Sequence, residues 1–241
     1  MKPLFSFYGS KWRDAKRYPA PHNGVVVEPF AGSAGYSTFW APSRVVLYDR
    51  DPIIVGVWDY LIHATAEEIR RLPDLEVGQS VDGLLGLPQE ARWLIGFWLN
   101  RGSATPKKTK TAFSARTERQ QLVWSERARV RIAAEVEKIR HWRVFYGSYE
   151  SCPRLDATWF VDPPYVDKGR YYRVHSIDYE RLGPWCRRLP GQVIVCEQAG
   201  ATWLPFRSMA VIKSTKGVSN EVVWTANCYF GEGLLRELEE A

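Results

Sequence analysis

The chain has 241 residues, a formal net charge of +6, an aromatic content of 14% and 11 Trp, which suits one sizeable α/β domain with a small insertion and excludes a disordered protein. No run approaches membrane-spanning length, residues 1–10 lack a signal-peptide core, and four scattered cysteines (Cys152, Cys186, Cys196, Cys228) have no His at ligand spacing. A membrane protein, a disulfide scaffold and a zinc site are therefore disfavoured; a cytoplasmic protein with reduced thiols and, from its basic charge, a polyanionic partner is expected.

In chain order, Phe5-Ser6-Phe7-Tyr8-Gly9-Ser10-Lys11 opens with aromatics, turns through Gly-Ser and reaches a lysine able to neutralise a carboxylate. In purely structural terms it is an N-terminal arm packed on the core. The β-branched run Val25-Val26-Val27 then passes through Glu28-Pro29-Phe30 into the small-residue loop Ala31-Gly32-Ser33-Ala34-Gly35 and a helical stretch. That is the strand–loop–helix of a nucleotide-type site. The loop carries G-x-x-G and not G-x-G-x-x-G, which disfavours a pyrophosphate-cradling dinucleotide site. A second strand over 44–48 ends at Asp49, about 20 residues past the loop, where such folds bind ribose hydroxyls. An ionised carboxylate only accepts, which suits two vicinal hydroxyls. Asp51, ahead of Pro52, is the expected helix cap.

Residues 58–101 read as helical with interruptions. The clearest helix starts at Pro88, buries Leu94, Phe97 and Trp98, and stops at Gly102. The texture then changes: over 103–121, Lys107, Lys108, Lys110, Arg116 and Arg119 stand against the single acid Glu118, with little to bury. Alone, such a run is a solvated surface loop; beside the expected polyanionic partner it is read as a contacting loop that orders on phosphate binding. A scaffold helix over about 125–140 follows, with Ala128, Ile132, Val136 and Ile139 on one face, and then a strand over 142–146.

The stretch around which the rest is organised is Phe160-Val161-Asp162-Pro163-Pro164-Tyr165. The short buried strand Trp159–Val161 must end where two prolines withhold their N–H groups and fix φ, leaving Asp162, the Pro163 carbonyl and the Tyr165 ring at a strand's carboxyl end. A carboxylate and a fixed carbonyl can accept both N–H groups of an exocyclic amine, while an aromatic plate stacks on its ring. Beyond lies Lys168-Gly169-Arg170-Tyr171-Tyr172-Arg173-Val174-His175, where basic and aromatic residues alternate in a manner that suits phosphate pairing with stacking. Asp178 caps a helix through Leu189, and strands are expected at 193–196, 209–212 and 221–225.

The D-P-P-Y motif resembles that of amino-group methyltransferases using S-adenosylmethionine, and in its Asp form that of DNA adenine-N6 methyltransferases. E-P-F-A-G-S-A-G is similar to the first cofactor motif of the same family. Phe7 and Lys11 match the spacing of the N-terminal cofactor segment of Dam-type enzymes, although Trp or Tyr is common in place of Phe7. Leu99-Asn100-Arg101 resembles the L-N-R that precedes their target-recognition region. These motifs run from Phe7 to about Tyr229 in the family's order.

The resemblance implies a Rossmann-like, doubly wound methyltransferase sheet from residues 1–100 and 142–241, with a small target-recognition region at 101–141 and an antiparallel pair at the sheet edge. It implies S-adenosylmethionine bound by Phe7, Lys11, Glu28, Phe30, Ala31, Gly32, Ser33, Gly35, Asp49 and Asp162, with no metal. Catalysis on a flipped-out adenine would use Asp162, Pro163, Pro164 and Tyr165. Double-stranded DNA would be the partner, met by Arg101, Lys107, Lys108, Lys110, Arg116, Arg119, Arg170, Tyr171 and Arg173; a monomer is compatible with this. The enzyme would belong to a restriction–modification system or act as an orphan phage or bacterial methyltransferase. Alternatives are methylation of cytosine N4, RNA adenine or a protein glutamine, where Ser or Asn usually opens the motif, and an inactive nucleic-acid-binding module. A Rossmann oxidoreductase ranks third, for want of the dinucleotide fingerprint.

Overall fold

A computed structural model describes residues 1–100, 102–116, 123–167, 169–214 and 217–228. The expected residues Arg101 and Arg119, with Lys168 and Lys216, lie outside them.

Seven strands form one sheet: Val25–Glu28 (β1), Arg44–Asp49 (β2), Arg143–Tyr146 (β3), Ala157–Val161 (β4), Gly191–Gln198 (β5), Arg207–Ser214 (β6) and Gly217–Ala226 (β7). Their order is β3-β2-β1-β4-β5-β7-β6. The first five are parallel, and β7 lies antiparallel between β5 and β6. The expected edge pair is thus present as a hairpin. From β1 the chain winds outward to β2 and β3, then returns to start β4 on the other side of β1. The strand order reverses between β1 and β4, and a crevice opens at such a point at the carboxyl ends of the strands.

Alternate residues serve opposite faces, as a period of two requires. Val45 and Leu47 face one core, Val26, Phe160, Ile194 and Cys196 its continuation, and Val27, Trp159, Val161, Val193 and Val195 the other side. Helices cover both sides. Gly35–Trp40 (α1), Pro52–His63 (α2), Ala66–Arg71 (α3), Gln89–Leu99 (α4) and Glu126–Val136 (α5) belong to the first face, and Tyr179–Arg187 (α6) to the second. The central strands are buried on both faces, so they read as continuous apolar runs instead of alternating ones.

Local chemistry starts these helices. Asp51 accepts the Ile53 amide at 3.0 Å with Pro52 in the first helical turn, and Asp178 accepts the Arg181 amide at 3.2 Å. Pro88 sits one residue earlier than expected, at the cap of α4 with ψ of 154°, an extended conformation that leaves its ring free of the first turn. The buried residues expected of α4 and α5 are buried. Trp124 donates its backbone N–H to Trp98 at 3.0 Å, so the chain ahead of α5 is tied to the end of α4.

The basic stretch corrects one expectation. A loop left to order on phosphate is not what residues 105–111 form, because their backbone is already paired. Lys107 donates to Gly96, Lys110 to Gln79, and the carbonyls of Lys108 and Lys110 accept from Val81 and Gly78. Thr109 bridges Ser80 in antiparallel fashion. The partner segment, residues 76–83, showed no strand periodicity that could have announced this.

Candidate active site

A cleft open to solvent, enclosing about 760 Å³ of non-atom space with that solvent counted, occupies the crevice between β1 and β4. Its walls come from the N-terminal arm, the loop after β1, the end of β2 with Ile54 of α2, Ala104, and the turn and 172–177 segment after β4.

The loop after β1 is shaped by the chain laid over it. Gly32 has φ of 45° and Ala34 of 44°, both left-handed. A Cβ on Gly32 would stand 3.0 Å from the Phe7 ring, and one on Gly35 only 2.6 Å from the backbone N of Trp12. The small residues therefore answer first to the N-terminal arm, which they let pass at backbone contact. The same packing places Phe7 and Lys11 beside the loop. Trp58 of α2 anchors it from below, donating its indole N–H to the Gly32 carbonyl at 2.8 Å.

Asp49 joins two strand ends. One carboxylate oxygen accepts the Gly32 amide at 3.0 Å and the other the Asp51 amide at 2.8 Å. A carboxylate has about four acceptor positions, so these bonds do not exhaust it. Burial pushes its carboxyl up to about 6, with the Asp51, Gly32 and Arg50 amides holding it from rising further. Asp51 serves as the cap of α2 and also pairs with Arg173 at 3.3 Å. Glu28, at the end of β1, is 2% exposed and accepts the Ser37 amide at 2.8 Å. Burial pushes it to about 8, leaving it mostly neutral at pH 7.

At the end of β4, Asp162 is part of a buried network. Lys11 Nζ lies 3.1 Å from Asp162 Oδ1 and 2.9 Å from Glu221 Oε1. The same ammonium sits 4.6 Å from the centre of the Tyr165 ring, and the Tyr165 hydroxyl donates to Glu221. Burial raises Asp162 to about 6 against the pull of Lys11, while the two carboxylates hold Lys11 well above the ordinary lysine range. Tyr179 donates its hydroxyl to the Pro164 carbonyl and so fixes the turn.

Ten of the expected cofactor-site residues line this one cleft: Phe7, Lys11, Glu28, Phe30 and Ala31, together with Gly32, Ser33, Gly35, Asp49 and Asp162. Pro164 and Arg173 line it as well, whereas Pro163 is buried and Tyr165 packs toward Glu221 and the core around Phe160. Tyr171 is exposed, with the Arg170 guanidinium 5.3 Å from its ring. Arg116 stands 5.8 Å from the exposed Phe113 ring. Lys107 is exposed, but the Lys108 ammonium pairs with Asp82 at 2.9 Å and that of Lys110 donates to the Leu75 carbonyl at 2.6 Å.

Of the site residues not expected, Tyr172 and Glu221 matter most for the chemistry. Tyr172, not Tyr171, walls the cleft, 5.9 Å from Phe7 and 5.6 Å from Tyr8 between ring centres. Nothing in a Tyr-Tyr doublet tells which ring turns inward. Glu221 stands at the head of the apolar run Val222-Val223-Trp224, and a lone acid on such a strand was the available signal. Comparison with protein-family models gave no match, and comparison with curated proteins gave none either.

Proposed function

We propose that this chain transfers the methyl group of S-adenosylmethionine to the N6 amino group of adenine in DNA. The sheet would then be a Rossmann-like methyltransferase sheet and residues 101–141 its target-recognition region. The observation that carries this is the convergence of Asp162, Asp49 and the Ala31–Gly35 loop on one cleft at the strand-order reversal. Asp49 and Asp162 lie 113 residues apart, and the three groups belong to separate motifs.

The residues present fit the cofactor. Asp49 keeps acceptor positions for a ribose diol, and Phe7, Phe30 and Ile54 supply apolar walls for a flat base. Lys11 has three N–H donors, two of them directed at Asp162 and Glu221, which leaves one for a carboxylate. Glu28, neutral until a positive group arrives, is suited to an ammonium. The bound cofactor supplies an electrophilic methyl group on a sulfonium.

This chain's residues supply orientation. At pH 7 to 8 Asp162 is ionised and accepts an N–H of the target amine, with the Pro163 carbonyl as the second acceptor. The Tyr179 hydrogen bond on Pro164 stiffens the turn that presents both. Tyr165, whose ring packs just outside the cleft lining, would be the stacking plate, its ring plane set by Lys11 and Glu221. Holding the amine in line accounts for the rate, without a metal.

The test is transfer of labelled methyl from S-adenosylmethionine to adenine-containing duplex DNA, with cytosine-only DNA and adenine-containing RNA as parallel substrates. Label on the adenine duplex alone is expected. Label on another polymer, or none on any, rejects the assignment.

A further inference from the structure

Glu221 belongs to no motif, yet it is among the most enclosed acids of the described residues, at 4% exposed. It comes from β7, next to the sheet edge, and touches two neighbouring residues of the candidate site that come from distant parts of the chain, Lys11 and Tyr165. Its Oε1 is 2.9 Å from Lys11 Nζ and also accepts the Tyr165 hydroxyl. The strand is irregular at this place. Ser208 pairs with Val222 but Ala210 with Glu221, so β6 has one extra residue, Met209, opposite that step. Bulges gather where a sheet must present a side chain out of regular register. A buried carboxylate on an otherwise apolar strand is costly unless it is paired, and here both of its partners are groups of the site.

We propose that Glu221 is a positioning residue of the active site, sharing the Lys11 ammonium with Asp162 and holding the plane of the Tyr165 ring. This rests on the methyltransferase assignment. An ammonium paired with Asp162 alone would saturate it and weaken it as an acceptor for the target amine. A second carboxylate draws the ammonium between the two, so Asp162 stays oriented without being fully neutralised. The same carboxylate fixes the Tyr165 hydroxyl, so one residue sets both the acceptor and the plate.

The electrostatics agree in sign. Glu221 raises the Asp162 carboxyl and Lys11 lowers it. Other ionisable groups facing Asp162 are Glu28 of β1 and Cys196 and Glu197 of β5. Tyr18 and Tyr172 face it from the segments laid over the sheet. Burial raises all five, and near pH 6 and below they are predominantly neutral. Burial is the largest influence on Asp162; Lys11 and Glu221 are the charged partners that act on it beside the Tyr165 hydrogen bond.

The experiment compares wild type, Glu221→Gln and Glu221→Asp in two measurements. The first is the titration midpoint of Asp162 by carboxyl carbon-13 NMR on the protein without DNA, which needs no activity. The second is kcat and KM for methyl transfer across pH. Glu221→Gln keeps the shape and an acceptor for Tyr165 but not the charge. It should lower the Asp162 midpoint, move the acid limb of the kcat profile down with it, and reduce kcat by roughly 10- to 100-fold, the scale of a misplaced reacting group. Glu221→Asp should retain the midpoint more nearly and recover part of kcat. An unchanged midpoint with unchanged kcat overturns the proposal, as does a kcat loss with no movement of midpoint or acid limb. If Glu221→Gln does not fold, the Asp variant decides: wild-type kcat at its shorter reach overturns positioning. If wild type methylates nothing while the midpoint still falls in Glu221→Gln, the methyltransferase assignment fails and the charge sharing stands.

Discussion

Asp49 Oδ2 accepts the backbone N–H of Gly32 at 3.0 Å, so one carboxylate at the end of β2 holds the loop that follows β1. Its other oxygen holds the Asp51 amide that opens α2. The acid proposed to meet a ribose is thus also a strut between the loop after β1 and the start of α2. Asp49→Ala should weaken S-adenosylmethionine binding by roughly 1–3 kcal/mol and lower the melting temperature of the free protein as well. Calorimetric titration and thermal unfolding check this together. Unchanged affinity with lowered stability would leave Asp49 with the structural role alone.

Three acids of the cleft share a pH dependence. Burial lifts Asp49 and Asp162 to about 6 and Glu28 to about 8, all above their unfolded values. The folded state therefore holds more protons than the unfolded state between about pH 4 and 8, and the contribution of these groups to stability falls as pH rises through that window. Thermal unfolding of the free protein should show this decline. Glu28→Gln, whose side-chain oxygen can still accept the Ser37 amide, should flatten the part above pH 6. Its melting temperature should exceed that of wild type at pH 9 by roughly 2–4 °C for each kcal/mol recovered. Parallel wild-type and variant curves at high pH would show that Glu28 does not titrate there.

The arm and the loop after β1 are packed at backbone distance. Gly35→Ala places a Cβ 2.6 Å from the backbone N of Trp12 and 2.8 Å from that of Lys11. Backbone cannot swing aside as a side chain can, so the arm must lift, at about 1–3 kcal/mol. Accelerated proteolysis near Lys11 and Arg13, with weaker cofactor binding, is the expected outcome. Wild-type protection would mean that the arm adjusts freely.

Removal of the proposed acceptor tests catalysis without endangering the fold. In Asp162→Ala the Lys11 ammonium keeps Glu221 as its partner, so no unpaired buried charge is created. Melting should change little while methyl transfer falls by at least about 100-fold, the upper part of the range for losing one oriented group. Near-normal turnover would sink the mechanism.

The basic segment divides by what each ammonium already does. Lys107→Ala should leave stability unchanged and reduce the salt slope of DNA binding by about 1 if it meets a phosphate. Lys110→Ala should instead cost about 1 kcal/mol of stability, since it removes the donor to the Leu75 carbonyl. Fluorescence binding at several salt concentrations, with denaturant unfolding, separates the two. Equal effects of both substitutions on the slope would show that the Leu75 contact yields to DNA.

Local chemistry made much of this protein legible from its sequence. Two prolines ended β4 at Asp162, Asp51 and Asp178 capped their helices, and unbroken β-branched runs marked strands buried on both faces. Each depends on neighbours a few residues away, so it is written in the order of residues. The acids expected at the ends of β1, β2 and β4 also met, because a parallel sheet brings its carboxyl ends to one side. Tertiary structure alone decided the rest. Glu221 meets Tyr165 across 56 residues of chain and Lys11 from the other end of the sequence, and no local pattern encodes a pairing of that span. Likewise Tyr172 turned inward while Tyr171 stayed exposed, and residues 105–111 found a partner in 76–83. Periodicity records which face a residue serves; which distant groups share a buried charge is settled only when the elements pack and each polar atom must find a partner.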